Sequence, residues 1–269
     1  MTAQNKANGK IIDKGYKYLV GKELRGQSGF GVFSEAPQFF DHFSVPQTMA
    51  TNWVDTKVGT GTFAILDSGI GGVAEIATTG ASGDANSEVL IMGPSTGSNF
   101  TCAKAAKDRP IVFEARVIIP TITTMEFFMG FRGVAGRATA LDVVVSATST
   151  LTTSVSADLA VLGYSTTATS LAMASGVVGA IASLGGTDAL TKATPLTLDT
   201  NYHVYRVELD VNGNATYLID GKFAAYQGTA FTPTAAVYPS FELVTRAAAV
   251  RKADIDYVLV SSSLGTTAT

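Results

Sequence analysis

Histidine, cysteine and tryptophan are almost missing from this chain of 269 residues, which holds two His, one Cys and one Trp. A lone Cys102 excludes an intramolecular disulfide, so the fold must stand on packing. It has no histidine near it in sequence and reads as a buried structural thiol. His42 and His203 fall in neither an H-x-H nor an H-x-x-x-H spacing, whereas zinc needs three or four N, S or O ligands. No G-x-S-x-G elbow occurs, and the G-x-G pieces at Gly29–Gly31 and Gly59–Gly61 lack the third glycine of a phosphate-binding loop. No metal site and no cofactor are therefore expected. Charge is also scarce, at 15% of residues, and the net charge of −3 argues against nucleic acid as the main partner. No apolar run approaches the roughly 18 residues that cross a bilayer, and no apolar segment of the secretory kind follows Met1. The expectation is no membrane partner and synthesis in a cytoplasm.

Apolar residues make up 46% of the chain, ample for a core. An all-β sandwich can use this length as one domain. Residues 1–38 differ from the rest. Glycine recurs among Lys10, Lys14, Lys17, Lys22 and Arg25, with single aromatics at Tyr16, Tyr18, Phe30 and Phe33. With Lys6, six basic residues face Asp13, Glu23 and Glu35, so the segment carries +3 and the remainder −6. It holds neither strand alternation nor a helical stripe and reads as an extended arm.

From residue 39 the pattern becomes β and continues to 262, ahead of a short tail at 263–269. Phe39 to Val45, Phe63 to Leu66, Gly72 to Thr79, Glu88 to Met92 and Ile111 to Ile119 read as strands. Met125 to Phe131 is apolar almost throughout, as a strand buried on both faces would be. Residues 138–200 are rich in Ser, Thr and Ala, which blurs every period; Leu141 to Val145 and Leu171 to Leu184 are β-like, and the region reads as an elaboration of the sandwich. The C-terminal third is the clearest. Tyr202 to Val211 alternates, with Arg206, Glu208 and Asp210 on one face and His203, Tyr205, Val207, Leu209 and Val211 on the other. Asn212-Gly213 can supply the two positive φ values of a type I′ turn, and Asp220-Gly221 turns the chain again. Strands at Ala215–Ile219, Lys222–Tyr226, Tyr238–Val244 and Ile255–Val260 complete a meander.

An opening FFDHF strand, a central IVFEARVIIP…MEFFMGF pair, the YRVELDVNGNATYLIDGK double hairpin and a closing DIDYVLV strand follow one another in this order. That order resembles the concanavalin A-like lectin/glucanase jelly roll, in the version found among bacteriophage structural proteins, over roughly residues 39–262. The resemblance implies two antiparallel sheets, one of them concave. Among phage proteins it further implies a head decoration (cement) protein or a tail-associated module, forming a homo-oligomer, as a trimer at a lattice axis.

Each constellation has a bland reading beside the chemical one. Glucanases of this fold carry E-x-D-x-x-E or E-x-D-x-E on one strand, which puts carboxylates at i and i+2 on one face. The nearest approach is Asp254-x-Asp256, which reads as solvated strand-face carboxylates without the mark of a protonated acid. Calcium ligands are conceivable at Asp84, Asn86 and Glu88, or at Asp210, Asn212 and Asn214. The second set lacks the sixth-position Gly and twelfth-position Glu of an EF-hand, so a turn explains it better. A sugar platform needs an aromatic face beside polar groups, and Trp53 with Asp55 is the candidate, its bland reading being a core or sandwich-edge tryptophan; Tyr226 and Tyr238 are further ones. In the arm, Lys10, Lys14, Tyr16, Lys17, Tyr18, Lys22, Arg25, Phe30 and Phe33 are the candidate anchor to a partner.

These readings lead to the expectation of a non-enzymatic virion structural protein, attached to the exterior of a major capsid protein lattice and stabilising it. The alternative is a carbohydrate-binding module that recognises host or surface glycans. A hydrolase that has lost its motif is the third class.

Overall fold

The structure, a computed structural model, describes residues 38–43, 53–67, 72–80, 88–93, 110–133, 158–166, 177–184 and 190–261. The candidate anchor residues of the arm, Cys102, the Asp84–Asn86 loop, Leu141 to Val145 and the 263–269 tail lie outside the described residues.

Among the described residues every regular element is a strand: β1 (Gln38–Asp41), β2 (Val54–Val58), β3 (Thr62–Asp67), β4 (Val73–Ala77), β5 (Glu88–Met92), β6 (Ile111–Ile118), β7 (Met125–Gly133), β8 (Leu159–Ser165), β9 (Val177–Ser183), β10 (Leu190–Thr197), β11 (His203–Leu209), β12 (Ala215–Ile219), β13 (Lys222–Gln227), β14 (Val237–Thr245) and β15 (Lys252–Ser261). They form two antiparallel sheets. One has eight strands in the order β13-β12-β11-β6-β15-β4-β3, with β1 also paired to β15. The other has seven, in the order β10-β9-β8-β7-β14-β5-β2. On β15, Lys252 to Ile255 pair with β4 and Val258 to Ser261 with β1, so one long strand joins two short partners along one edge.

The core lies between the sheets and follows from period-two alternation. The eight-stranded sheet contributes Phe113, Ala115 and Val117 from β6 and Tyr205, Val207 and Leu209 from β11. The seven-stranded sheet contributes Phe127, Met129 and Phe131 from β7, Ala160 and Leu162 from β8, and Phe241 and Leu243 from β14. Phe113 is the central contact, with ring centroids 5.9 Å from Phe131 and 5.7 Å from Phe241. Each such buried ring stabilises the sandwich by about 1.5–3 kcal/mol. Two hydrogen bonds stitch the sheets together near one edge: Tyr217 Oη donates to the Ile181 carbonyl at 3.0 Å and Gln227 Nε2 to the Ala180 carbonyl at 2.7 Å.

Two expectations are corrected. Within 138–200 the described residues supply β8, β9 and β10, which are integral strands of the seven-stranded sheet and not additions to it. β8 is buried along its whole length and β9 nearly so, so neither shows the polar alternation that marks a half-exposed strand. β2 likewise had no signal in a stretch dominated by polar residues. The second correction is the Asn212-Gly213 turn. Asp220 and Gly221, with φ of 51° and 73°, form the two-residue turn with both φ positive between Ile219 and Lys222. In the preceding hairpin only Gly213 is left-handed, at 76°. Gly213 N–H donates to the Asp210 carbonyl, and Asp210 N–H to the Asn214 carbonyl, each at 3.0 Å. The connection is thus a three-residue loop of the turn-plus-left-handed-glycine type, one residue longer than expected. Asp210 fills it: Oδ1 accepts from the Asn212 and Asn214 amides at 2.8 and 2.9 Å, and Oδ2 from Asn214 Nδ2 at 2.7 Å. These carboxylate and amide groups hold a turn.

Candidate functional site

A strand packed against a core on one side ordinarily alternates with polar, solvated residues on the other. β7, β8 and β14 do not: all of their residues are buried. The face of the seven-stranded sheet turned away from the core can be laid out in rows from the strand registers. Ser165, Glu126 and Val244 are neighbours on β8, β7 and β14; then come Gly163, Phe128 and Glu242; then Val161, Gly130 and Ser240; and at the strand ends Leu159, Arg132 and Tyr238. Ser183 of β9 extends the last row.

Four charged side chains sit in this otherwise apolar surface. Arg132 Nη2 donates to Glu242 Oε2, and both side chains are only about 1% exposed. Arg246, just past β14, donates to Glu126 Oε2, whose Oε1 accepts from Ser165 Oγ at 2.6 Å. Burying a charge costs several kcal/mol unless it is paired, so each carboxylate here is matched by a guanidinium. The pairing of Arg132 is incomplete. Its Nε and Nη1 hydrogens are buried without an acceptor. An unmade hydrogen bond at such a donor costs about 1–3 kcal/mol, and more for a charged group.

Glycines make room for this arrangement. A Cβ on Gly163 would overlap the Phe128 ring, so glycine there lets the ring lie across β8. Gly130 has φ of 144°, and a Cβ there would strike the Ala160 carbonyl.

The opposite sheet differs. The outer face of the eight-stranded sheet is half-exposed, and its charges are paired with one another. Arg206 bridges Glu114 at 3.2 Å and Glu208 at 2.6 Å, Tyr257 Oη donates to Glu114 at 2.9 Å, and Arg116 meets Asp256 at 2.6 Å while lying 4.2 Å over the Tyr202 ring. Asp256 lies in a bulge between Ile255 and Tyr257, so Asp254 and Asp256 are not the regular i, i+2 pair that alternation suggests. Asp254 stands opposite Glu75. Its carboxyl is raised, first by burial and then by Glu75, with Lys252 opposing, which corrects the expectation of an ordinary solvated carboxylate.

Trp53 takes the core position of its bland reading and not that of a sugar platform. It lies in the core, 4% exposed, among Phe39, Phe43, Phe63 and Phe241 at centroid distances of 5.2 to 6.2 Å, and its Nε1 donates to Asp41 Oδ2 at 2.9 Å. A stacking platform needs an open ring face, and Trp53 has none. Asp55 is exposed and ion-paired with Lys57 at 2.6 Å. Tyr226 is exposed on β13, while Tyr238 is buried beside Arg132. His42 stacks on Phe40, and His203 sits between Asp220 at 2.7 Å and Asp199 at 3.0 Å. Among the described residues no three His, Cys, Asp or Glu side chains converge as metal ligands.

No family model matches the chain, and no curated protein matches it in sequence. Solved structures do. The carbohydrate recognition domain of Emp47p superposes with a TM-score of 0.54 at 10% identity, covering 86% of this chain and 98% of that one. The glycoside hydrolase family 16 endo-glucanase of Bacteroides ovatus gives 0.53 at 15% identity over 82% and 98%. The β-glucanase of Bacillus licheniformis gives 0.52 at 11% over 87% and 99%. The fold is a concanavalin A-like jelly roll. At these identities the likeness carries the jelly roll itself and no activity.

The residues that sequence reasoning missed are Glu126, Arg132, Glu242 and Arg246. A signal existed. Glu126 and Arg132 are six apart in one apolar strand, hence on one face, and a lone charge inside such a run marks a buried pair waiting for its partner.

Proposed function

We propose that this jelly roll is a non-catalytic carbohydrate-binding module whose ligand is taken by the outer face of the seven-stranded sheet. One observation carries the reading: Glu126, Ser165, Glu242, Arg132 and Tyr238 are gathered on three adjacent strands beside Phe128, Val161 and Leu159. Sugar recognition needs directional donors and acceptors for hydroxyls next to apolar groups for ring carbons, and this face gathers both kinds of side chain, all of them buried. The fold supports it, since the similar structures are a carbohydrate recognition domain and glucanases.

Hydrolysis is not expected of this face. A retaining glycosidase needs two carboxyls about 5–5.5 Å apart, one of them a protonated acid that gives its proton to the leaving oxygen. Glu126 and Glu242 are diagonal neighbours on β7 and β14, but each accepts from an arginine instead. On β8 this face shows Leu159, Val161, Gly163 and Ser165, with no carboxylate. The test is a glycan array probed with the full chain and with the Arg132→Leu/Glu242→Leu double variant. Binding to a defined set of glycans, altered in the folded double variant, supports the reading; no binding to any glycan refutes it.

A second reading, a virion decoration protein that attaches to a capsid lattice as a homo-oligomer, is favoured by the basic, glycine-rich residues 1–38 ahead of the sandwich. A charged arm of this kind anchors in a salt-sensitive way. Saturable co-sedimentation with capsids, lost on deletion of residues 1–38, is the expected result; no pelleting by either form removes this reading.

A further inference from the structure

We propose that Arg132 is the receptor for an oxyanion, a carboxylate or a sulfate, borne by the saccharide that the jelly roll binds. The inference rests on the carbohydrate-binding reading of the same face and names its ligand class. Three observations support it.

Arg132 is about 1% exposed, yet one contact, from Nη2 to Glu242, is all that its guanidinium makes. Nε and Nη1 remain buried and without acceptors. These two nitrogens lie on different edges of the planar group, and each shares an edge with Nη2. Rotating the Glu242 carboxylate can therefore satisfy one of them and never both. The site keeps at least one charged donor for which the described protein supplies no oxygen.

The location suits a ligand. Arg132 is the penultimate residue of β7; beside it stand Leu159, the first residue of β8, Tyr238, the second of β14, and Ser183, the last of β9. The row lies at the ends of four adjacent strands, and its four side chains are buried, so an oxyanion paired with the guanidinium is held away from water.

The chemistry selects the class. A guanidinium edge presents two donors at the spacing of two oxygens on one carboxylate or sulfate, and such charge-assisted bonds are about twice as strong as those to a neutral hydroxyl. A neutral sugar would use the donors singly. An acidic one uses them as a fork, and that difference is the expected source of selectivity.

The test is calorimetric titration of the full chain with four probes: an oligogalacturonate, a sulfated galactan oligosaccharide, a neutral β-glucan oligosaccharide of matched length, and inorganic sulfate. The acidic saccharides should bind about ten- to a hundredfold more tightly than the neutral one, the worth of one charge-assisted hydrogen bond. Arg132→Lys, which keeps the charge and loses the fork, should reduce that preference to about threefold or less. The Arg132→Leu/Glu242→Leu variant should abolish it, bringing the acidic and neutral saccharides to the same affinity. Equal affinity for acidic and neutral saccharides in the parent overturns the oxyanion assignment and leaves the carbohydrate reading standing. A preference that survives in both variants overturns it as well. Inorganic sulfate binding as tightly as the sulfated oligosaccharide makes this a free-anion site and refutes the saccharide-borne form. No binding by any saccharide removes the carbohydrate reading and the inference with it. Circular dichroism shows that each variant is folded, and Arg132→Lys decides the matter if the double variant is not.

Discussion

Arg132 and Glu242 meet although they are four residues out of register: Arg132 stands opposite Tyr238, and Glu242 opposite Phe128. The two side chains therefore span four residues of register along the sheet. A buried pair of this kind adds little net stability, but removing one partner strands the other charge in a low-dielectric surrounding. Arg132→Leu and Glu242→Leu should each cost about 3–5 kcal/mol, while the double variant should lie within about 2 kcal/mol of the parent. Urea denaturation of the four proteins measures this cycle directly.

The glycine contacts give a second prediction. Gly163→Ala drives a methyl group into the Phe128 ring and should destabilise by about 1–3 kcal/mol, the usual cost of overpacking. Phe128→Leu in that background should recover part of the loss. A neutral Gly163→Ala would show that the ring does not lie across β8.

Two turn glycines separate backbone strain from steric crowding. Gly213 and Gly221 both have positive φ, but a Cβ on Gly213 would meet the Phe231 carbonyl, whereas nothing lies near Gly221. Gly221→Ala should cost about 1 kcal/mol and Gly213→Ala clearly more. Equal melting-temperature losses would contradict the close approach of Phe231.

Trp53 belongs to stability. Trp53→Ala should cost about 3–5 kcal/mol from lost packing, with loss of the Asp41 contact on top, and the change should appear in denaturation midpoints. A stable variant that loses glycan affinity alone would restore Trp53 as a ligand residue.

His203 carries the pH dependence. Burial works to lower its pKa, but hydrogen bonds to Asp220 and Asp199 outweigh it and leave it raised. A raised folded pKa means that the stabilisation is complete below the unfolded value of about 6.5 and is lost as pH rises through the folded value. Asp199 is lowered to about 2, first by the Asn201 backbone and side chain and then by His203. Its contribution is present above the unfolded value of about 3.9 and fades as pH falls through the folded one. His203→Gln should therefore destabilise most between about pH 4 and 6.5 and least near pH 9, as urea midpoints across that range would show. A pH-independent difference would contradict the ion-paired arrangement.

Much of the fold was legible in the chain, and for a physical reason. β6, β11, β12 and β15 carry a core face and a polar face, so the alternation of Phe113, Ala115 and Val117 with Glu114 and Arg116 survives in the sequence. β8 and β9 are buried on both sides, and their Ala, Gly and Ser residues pack between neighbours without marking either face. The site was hidden by the same property. Glu126 and Arg132 look incidental in an apolar run, and Glu242 lies more than a hundred residues away. Only the β7–β14 register brings them to one face. Trp53 misled for the converse reason: polar neighbours in sequence imply exposure, but the chain enters β2 from inside the aromatic cluster.

The most direct test of the account is hydrogen exchange of the full chain with and without a bound oligosaccharide found by the glycan array. Added protection concentrated at Glu126 to Arg132 of β7, Leu159 to Ser165 of β8 and Tyr238 to Glu242 of β14 is the result expected of a ligand on the outer face of the seven-stranded sheet. Protection confined to β6, β11 and β15 would place the sugar on the other sheet and contradict it.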